Sequence, residues 1–151
     1  MTDITLRTVS VTDPQAQECL TAYYDELSSR FGKVFSPGAD PDPACYDPPK
    51  GIFLLAERDG RCLGCVGLRP DGESGEVKRL WIAPEARGLG LSRRLMAAVE
   101  QAARDFGYIC LRLDTSRHLA EAIALYRRDG WIEIPRYNDN PYADFFFEKR
   151  L

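Results

Sequence analysis

Polar and apolar residues alternate from 3 to 11, Asp-Ile-Thr-Leu-Arg-Thr-Val-Ser-Val, the period of a strand with one buried face. Thr12-Asp13-Pro14 breaks the alternation and opens a helix running to about Arg30, with Asp13 as N-cap and Pro14 at the first helical position. Cys19, Leu20, Tyr23, Tyr24 and Leu27 recur on one face of it. Residues 52–58 and 61–69 pair about Asp59-Gly60 as a hairpin, and 70–75 form the next turn. The strand that follows carries Val77, Leu80 and Ile82 and ends at Ala83-Pro84. Leu91, Leu95, Met96, Val99, Ala102, Ala103 and Phe106 then mark a long amphipathic helix stopped by Gly107. Residues 108–115 alternate as a strand, 119–129 carry the helical stripe Leu119, Ile123 and Tyr126, and 131–136 and 143–149 read as the last strands. A helix separates the strand at 108–115 from its predecessor, so these two middle strands should pair in parallel. The order is β, α, β, β, β, α, β, α, β, β: an α/β (α+β) chain with a mixed, mostly antiparallel sheet of about seven strands flanked by helices.

One stretch has no period. Residues 32–51, GKVFSPGADPDPACYDPPKG, hold half of the prolines and are long for a connector. They read either as a cover over a site or as a disordered segment. The whole chain, 151 residues with 28% charged, suits a single domain, 1–151. A net charge of −3 argues against nucleic acid as a partner. No signal-peptide pattern opens the sequence and no apolar run spans a membrane, so the expectation is a cytoplasmic protein without a membrane partner. The five cysteines, at 19, 45, 62, 65 and 110, are odd in number and scattered, and are expected as buried free thiols. Cys62 and Cys65 lack the second pair a zinc site needs, so no metal is expected.

Candidate chemistry gathers at the turn before the long helix, Arg87-Gly88-Leu89-Gly90-Leu91-Ser92-Arg93. The first amides of a helix lack carbonyl partners and suit an anion, and glycine lets that anion come close. Lys78, Arg79, Arg87, Arg93 and Arg94 surround the turn against the single acid Glu85. A capped surface turn with solvated arginines fits the same residues. A Walker loop would need Gly-Lys-Ser/Thr, and a dinucleotide turn would need glycine where Arg93 stands. The segment resembles the Arg/Gln-x-x-Gly-x-Gly/Ala pyrophosphate motif of the GNAT superfamily of N-acetyltransferases, with Arg87 and Gly90 matching and Ser92 in the last small position. Ala122-Ile-Ala-Leu-Tyr126-Arg-Arg-Asp-Gly130-Trp131 resembles the superfamily's Ala-x-x-x-Tyr-x-x-x-Gly-Phe segment, with Leu119 where an Asn is common and His118 beside it. The element order is similar to the GNAT fold along nearly the whole chain.

That resemblance implies acetyl coenzyme A as co-substrate, held by the strand backbone at Leu80, Trp81 and Ile82 and by the turn from Arg87 to Arg93. It implies Glu76 as the base that deprotonates an amine, directly or through water, and Tyr126 as the acid that protonates the leaving thiolate. From the residues alone, Glu76 is equally a strand-edge carboxylate beside Lys78, and Tyr126 a core residue on the Leu119–Ile123 stripe. The strand near Leu80 to Ile82, bulged in relatives, would supply oxyanion donors.

The acceptor is less legible. Arg136, Tyr137 and Asn140 in the hairpin connection, and Tyr24 and Arg30 on the first helix, are the candidate contacts. Asx turns and a solvated helix face explain the same residues. The expected acceptor is a small-molecule primary amine such as an amino acid or similar metabolite. A protein or peptide acceptor, or a non-catalytic coenzyme sensor, is the alternative, and a homodimer is compatible with either.

Overall fold

The computed structural model describes residues 3–36 and 42–151. Seven strands build one sheet: β1 (Thr5–Thr8), β2 (Ile52–Arg58), β3 (Arg61–Asp71), β4 (Ser74–Ile82), β5 (Cys110–Thr115), β6 (Ile132–Ile134) and β7 (Phe145–Arg150), in spatial order β1-β2-β3-β4-β5-β7-β6. Three helices flank it, α1 (Pro14–Phe31), α2 (Leu91–Asp105) and α3 (Ala120–Arg128). The expected elements and their order are all present. The strands most shortened relative to their alternation are β1, which leaves the sheet as the chain turns into the Asp13 cap, and β6, which stops at Ile134, just before Pro135.

Local chemistry sets the helix ends. Asp13 accepts the Gln15 amide at 2.8 Å, Pro14 starts α1, and Gly32 at φ 68° ends it with its amide on the Ser29 carbonyl. On α2, Leu91, Leu95, Met96, Val99 and Ala103 are buried, the face the sequence period marks. Glu100, buried on the same helix, is matched by Lys149 at 2.8 Å.

The sheet is antiparallel from β1 to β4 and again from β5 through β7 to β6; the one parallel contact is β4 with β5. That contact is brief, pairing Gly75 with Leu111 and Glu76 with Arg112. Beyond Glu76, β4 pairs with β3 alone and β5 with β7 alone, so two strand edges diverge in mid-sheet. A bulge accompanies the divergence: Cys65 pairs with Trp81 and Gly67 with Lys78, leaving Arg79 and Leu80 opposite Val66. Arg79 sits at φ 63°, a left-handed conformation that costs a side-chain-bearing residue about 1 kcal/mol or more. The Cys65 thiol donates to its carbonyl at 3.3 Å. Burial pushes that thiol up to about 12.

The thiol expectation holds in part. Cys45, Cys65 and Cys110 form no disulfide, Cys65 alone of the three being buried, but Cys19 and Cys62 form a disulfide between α1 and β3. The 43 residues separating them hide the pair from a search of spacings. Cys19 lies on the α1 face that packs on the sheet, and Cys62 at the start of the strand beneath it. Among the described residues no group of His, Cys, Asp or Glu could hold a metal ion, and no helix is long and apolar enough to cross a membrane.

Gly67 shows how tightly the sheet is packed beside the bulge. A β-carbon there would lie 2.8 Å from Cε1 of Tyr46, a ring that is 1% exposed and edge-on to Phe53. Gly67→Ala should destabilise the fold by about 1–3 kcal/mol, the cost of overpacking a filled core, read as a lower urea midpoint with an unchanged slope.

Candidate active site

Where β4 and β5 part, a cavity of about 550 Å³ opens. Its walls come from α1 (Tyr23, Tyr24), the segment after α1 (Phe35, Ser36), β3 and β4 (Arg69, Glu76, Lys78), the end of β5 (Asp114), α3 (Tyr126) and the β6–β7 connection (Tyr137 to Ala143). Six of the residues singled out from sequence line it: Tyr24, Glu76, Leu80, Tyr126, Tyr137 and Asn140.

Glu76 is 3% exposed, and both of its carboxylate oxygens are engaged. Oε1 accepts from Nε of Arg69 at 2.9 Å, and Oε2 accepts from the Tyr137 hydroxyl at 2.7 Å. Lys78 lies 3.7 Å from Oε2 and 3.2 Å from Oδ2 of Asp114, bridging two buried carboxylates. Asp114 also accepts from Nδ2 of Asn138 at 2.6 Å and from Nδ2 of Asn140 at 3.2 Å. Burial of such charges is tolerated because each has charge-assisted partners.

The loop that supplies those partners is held by its own side chains. Oδ1 of Asn138 accepts the Asn140 amide and Oδ1 of Asn140 accepts the Tyr142 amide, each at 3.0 Å, so the Asx turns are present and the amide ends are still free to reach Asp114. Arg136 does not line the cavity: its guanidinium donates to the carbonyls of Asn138, Asn140 and Ala143 and stacks 4.7 Å from Phe146. Arg30 does not line it either, being paired with Glu26 and Glu121 and donating to the His118 carbonyl. The His118 ring packs edge-on against Phe31.

The expectation for 32–51 is divided by what the structure describes. Residues 37–41 lie outside the described residues. On one flank Phe35 and Ser36 line the cavity, with Phe35 4.6 Å from the Tyr142 ring and the Ser36 amide donating to the Tyr142 hydroxyl at 3.1 Å. On the other flank Tyr46 is part of the wall.

Tyr126 reaches the cavity from α3, its ring against Trp131 and Phe147, each 5.9 Å away. None of the described residues forms a hydrogen bond with its hydroxyl. Burial, with the Asp114 charge adding to it, raises its pKa well above the ordinary 10.0, so it stays protonated. Burial also raises Tyr23, with Tyr126 nearby adding to the shift. Tyr137 is raised by burial first and then by the negative charge of Glu76.

The turn before α2 has the form the sequence implies. Gly88 at φ 81° and Gly90 at φ 76° are both left-handed, and a β-carbon on either would point into open space. Gly90 caps α2 with no side-chain hydrogen bond. Arg87 reaches back, with Nε donating to the Ile82 carbonyl at 3.2 Å and its terminal nitrogen 2.5 Å from Glu26. Arg93 meets Asp129 at 3.5 Å, so α3 links this turn, through Asp129, to the cavity, through Tyr126. Trp81 and Ile82 lie outside the cavity lining, Leu89 is exposed and Leu91 is buried.

The sequence profile of the Acetyltransferase (GNAT) family matches residues 20–131. The chain belongs to this family. It is 32% identical over 142 residues to an IAA acetyltransferase of Azospirillum brasilense, covering 89% of this chain and 92% of that protein. It is 40% identical over 105 residues to an uncharacterised N-acetyltransferase of Schizosaccharomyces pombe, covering 68% of this chain and 64% of the relative. The structure of PaiA N-acetyltransferase from Thermoplasma acidophilum, solved with coenzyme A, superposes with a TM-score of 0.72 at 19% identity over 99% of both chains. The chain thus shares its overall fold with that structure.

Asp114 and Arg69 are site residues that sequence reading passed over, and it places Lys78 only in the basic surround of the turn. Asp114 is the one acid in a strand whose alternate positions, Leu111, Leu113 and Thr115, are buried, and it stands where a parallel strand leaves its neighbour. That combination is the signal that could have found it.

The raised tyrosines set an alkaline limit. In the unfolded chain they ionise near 10.0, whereas in the folded chain Tyr23, Tyr126 and Tyr137 remain protonated above it. Their contribution to stability is therefore complete below that pH and is lost as pH rises through the folded values. Among the seven tyrosines, these three should show tyrosinate absorbance only together with loss of far-ultraviolet circular dichroism. Full ionisation of all seven in a folded chain would contradict this.

Proposed function

We propose that this GNAT acetyltransferase moves the acetyl group of acetyl coenzyme A to the primary amine of a small molecule, by direct attack with both substrates bound. The observation that carries the reading is that Glu76 and Tyr126 line one cavity at the place where β4 and β5 separate. Family membership supports acetyl coenzyme A, and the residues fit it. The left-handed Gly88 and Gly90 leave room where a β-carbon would stand, and the first amides of α2 carry no side-chain cap. Arg87 and Arg93 flank that turn, and the free edge of β4 from Leu80 to Ile82 offers backbone groups to an extended arm.

Acetyl coenzyme A supplies an activated acyl thioester. Glu76, ion-paired with Arg69 and Lys78, takes the proton of the attacking amine, directly or through water. The bulged backbone at Arg79 and Leu80 presents donors toward the cavity for the oxyanion. Tyr126, protonated and with its hydroxyl free of the described residues, gives its proton to the departing sulfur. The strand, the loop and α3 together hold these groups in one geometry.

A small acceptor is favoured over a protein or peptide by the shape of the cavity. The hydrogen bond between the Ser36 amide and Tyr142 joins the segment after α1 to the β6–β7 loop and narrows that side of the cavity, which supports a small acceptor over a long peptide. Both charge signs line the wall, with Glu76 and Asp114 against Arg69, Lys78 and Arg79, as a zwitterion such as an amino acid requires. Tyr24 and Asn140 are the acceptor contacts, and the cytoplasm is the place of action.

The test is thiol release from acetyl coenzyme A across a panel of amino acids, small amines and peptides. Turnover confined to small amines is expected; transfer to peptides alone, or tight coenzyme binding without transfer, overturns the reading. Glu76→Gln should lower turnover by about 10²-fold at neutral pH, with coenzyme affinity retained. An unchanged rate and pH profile would remove Glu76 from the base role. Gly90→Val, which fills the open space at the turn and strains its φ, should weaken acetyl coenzyme A binding by about tenfold or more in calorimetry while circular dichroism stays native.

A further inference from the structure

The β6–β7 connection is fastened to both carboxylates of the cavity by different residues. Tyr137 donates to Glu76, while Asn138 and Asn140 donate to Asp114. Asp114 ends β5, and its side chain is 7% exposed. Its partners are Lys78 from β4 and the two asparagine amides from the loop. Within the loop the asparagine oxygens are already occupied as turn acceptors, so both amide nitrogens point at one carboxylate. The Tyr137 ring is gripped separately, with the Arg112 guanidinium 5.5 Å from its centroid and Phe146 edge-on at 5.4 Å.

We propose that Asp114 is a positioning residue for acetyl transfer: it clamps the 137–142 loop over the cavity, and through that loop it sets Tyr137 on Glu76 and closes the acceptor side. The inference rests on the reading of Glu76 as the base. Asp114 does this by geometry and charge together. A buried carboxylate accepts at both oxygens, so it can take two amides and an ammonium at once. An amide in its place keeps one acceptor oxygen and turns the other into a donor, so one loop amide loses its acceptor and Lys78 is left with Glu76 as its remaining carboxylate partner. The loop then keeps its turns, the Tyr137–Glu76 bond and the Ser36–Tyr142 bond but loses part of its anchorage on β5, so Tyr137 is set less firmly and the acceptor wall formed by Asn140 and Tyr142 loosens. The coenzyme turn at 87–93 is untouched by these changes, since its residues make no contact with the loop among the described bonds.

Asp114→Asn keeps the shape and removes the charge. Asn138→Asp keeps the turn oxygen and replaces the donor with a second acceptor facing Asp114. Each should raise the acceptor KM by about tenfold or more, the loss of a charge-assisted bond, while the dissociation constant of acetyl coenzyme A stays within about twofold. Hydrogen exchange should quicken at the Asn140, Tyr142 and Ala143 amides and remain unchanged in α2. The exchanged pair, Asp114→Asn with Asn138→Asp, restores one carboxylate–amide bond with the roles reversed, and should recover loop protection and part of the acceptor KM. A purely structural Asp114 predicts instead that coenzyme affinity falls with acceptor affinity and that the exchanged pair is worse than either single change. Either of those results, or unchanged loop exchange in both single variants, overturns the proposal. A wild-type chain that acetylates no amine defeats the transfer reading; the exchange measurements then still decide whether Asp114 clamps the loop.

Discussion

Two strands that begin side by side and then part govern this structure. β4 and β5 share two residue pairs, at Gly75 and Glu76, and nothing further along. Backbone groups inside a sheet are ordinarily consumed by neighbours. Here the bulge at Arg79 and Leu80 and the departure of β5 toward β7 leave that edge of β4 without a strand partner beyond Glu76. Everything with chemical potential lies at that opening: Glu76 at the last shared pair, Asp114 at the end of β5, and Tyr126 on the helix that follows it.

Opening a sheet in its middle exposes charge to a poorly solvated interior, and the site answers with an alternating set. Arg69, Glu76, Lys78 and Asp114 follow one another as cation, anion, cation, anion, with contacts between 2.9 and 3.7 Å. Removal of any one member leaves its neighbours under-compensated, which costs more than the member itself contributes. The neutral hydroxyl of Tyr137 and the amides of Asn138 and Asn140 complete the shells of the two acids.

Much of this was legible where the signal is local. The buried face of α2 follows from the spacing of Leu91, Leu95, Met96 and Val99, and the paired left-handed glycines follow from the Gly88-Leu89-Gly90 turn. Glu76 and Tyr126 are singled out by the family resemblance, since helical spacing alone puts Tyr126 in the core on the Leu119–Ile123 stripe. What stayed hidden joins distant parts of the chain. Asp114 meets Asn138 across 24 residues, Tyr137 meets Glu76 across 61, and Cys19 meets Cys62 across 43. Arg136 illustrates another limit: its type and place suit a ligand, but a loop rich in carbonyls claimed the guanidinium first. An arginine in the left-handed region, as at Arg79, carries no sequence mark at all.

The pairing of Arg87 with Glu26 changes how the turn before α2 meets an anion. Nothing arriving there encounters a bare cation; it must displace a carboxylate already 2.5 Å away, so the net gain is a difference between two ion pairs. Such an exchange discriminates by valence, since a doubly charged group outbids a carboxylate where a singly charged one merely equals it. The displaced Glu26 is not stranded, because Arg30 at 3.3 Å and the Trp81 indole at 3.4 Å still hold it. Trp81 belongs to β4 and Glu26 to α1, so these contacts tie the turn to the element that carries Tyr23 and Tyr24 to the cavity wall.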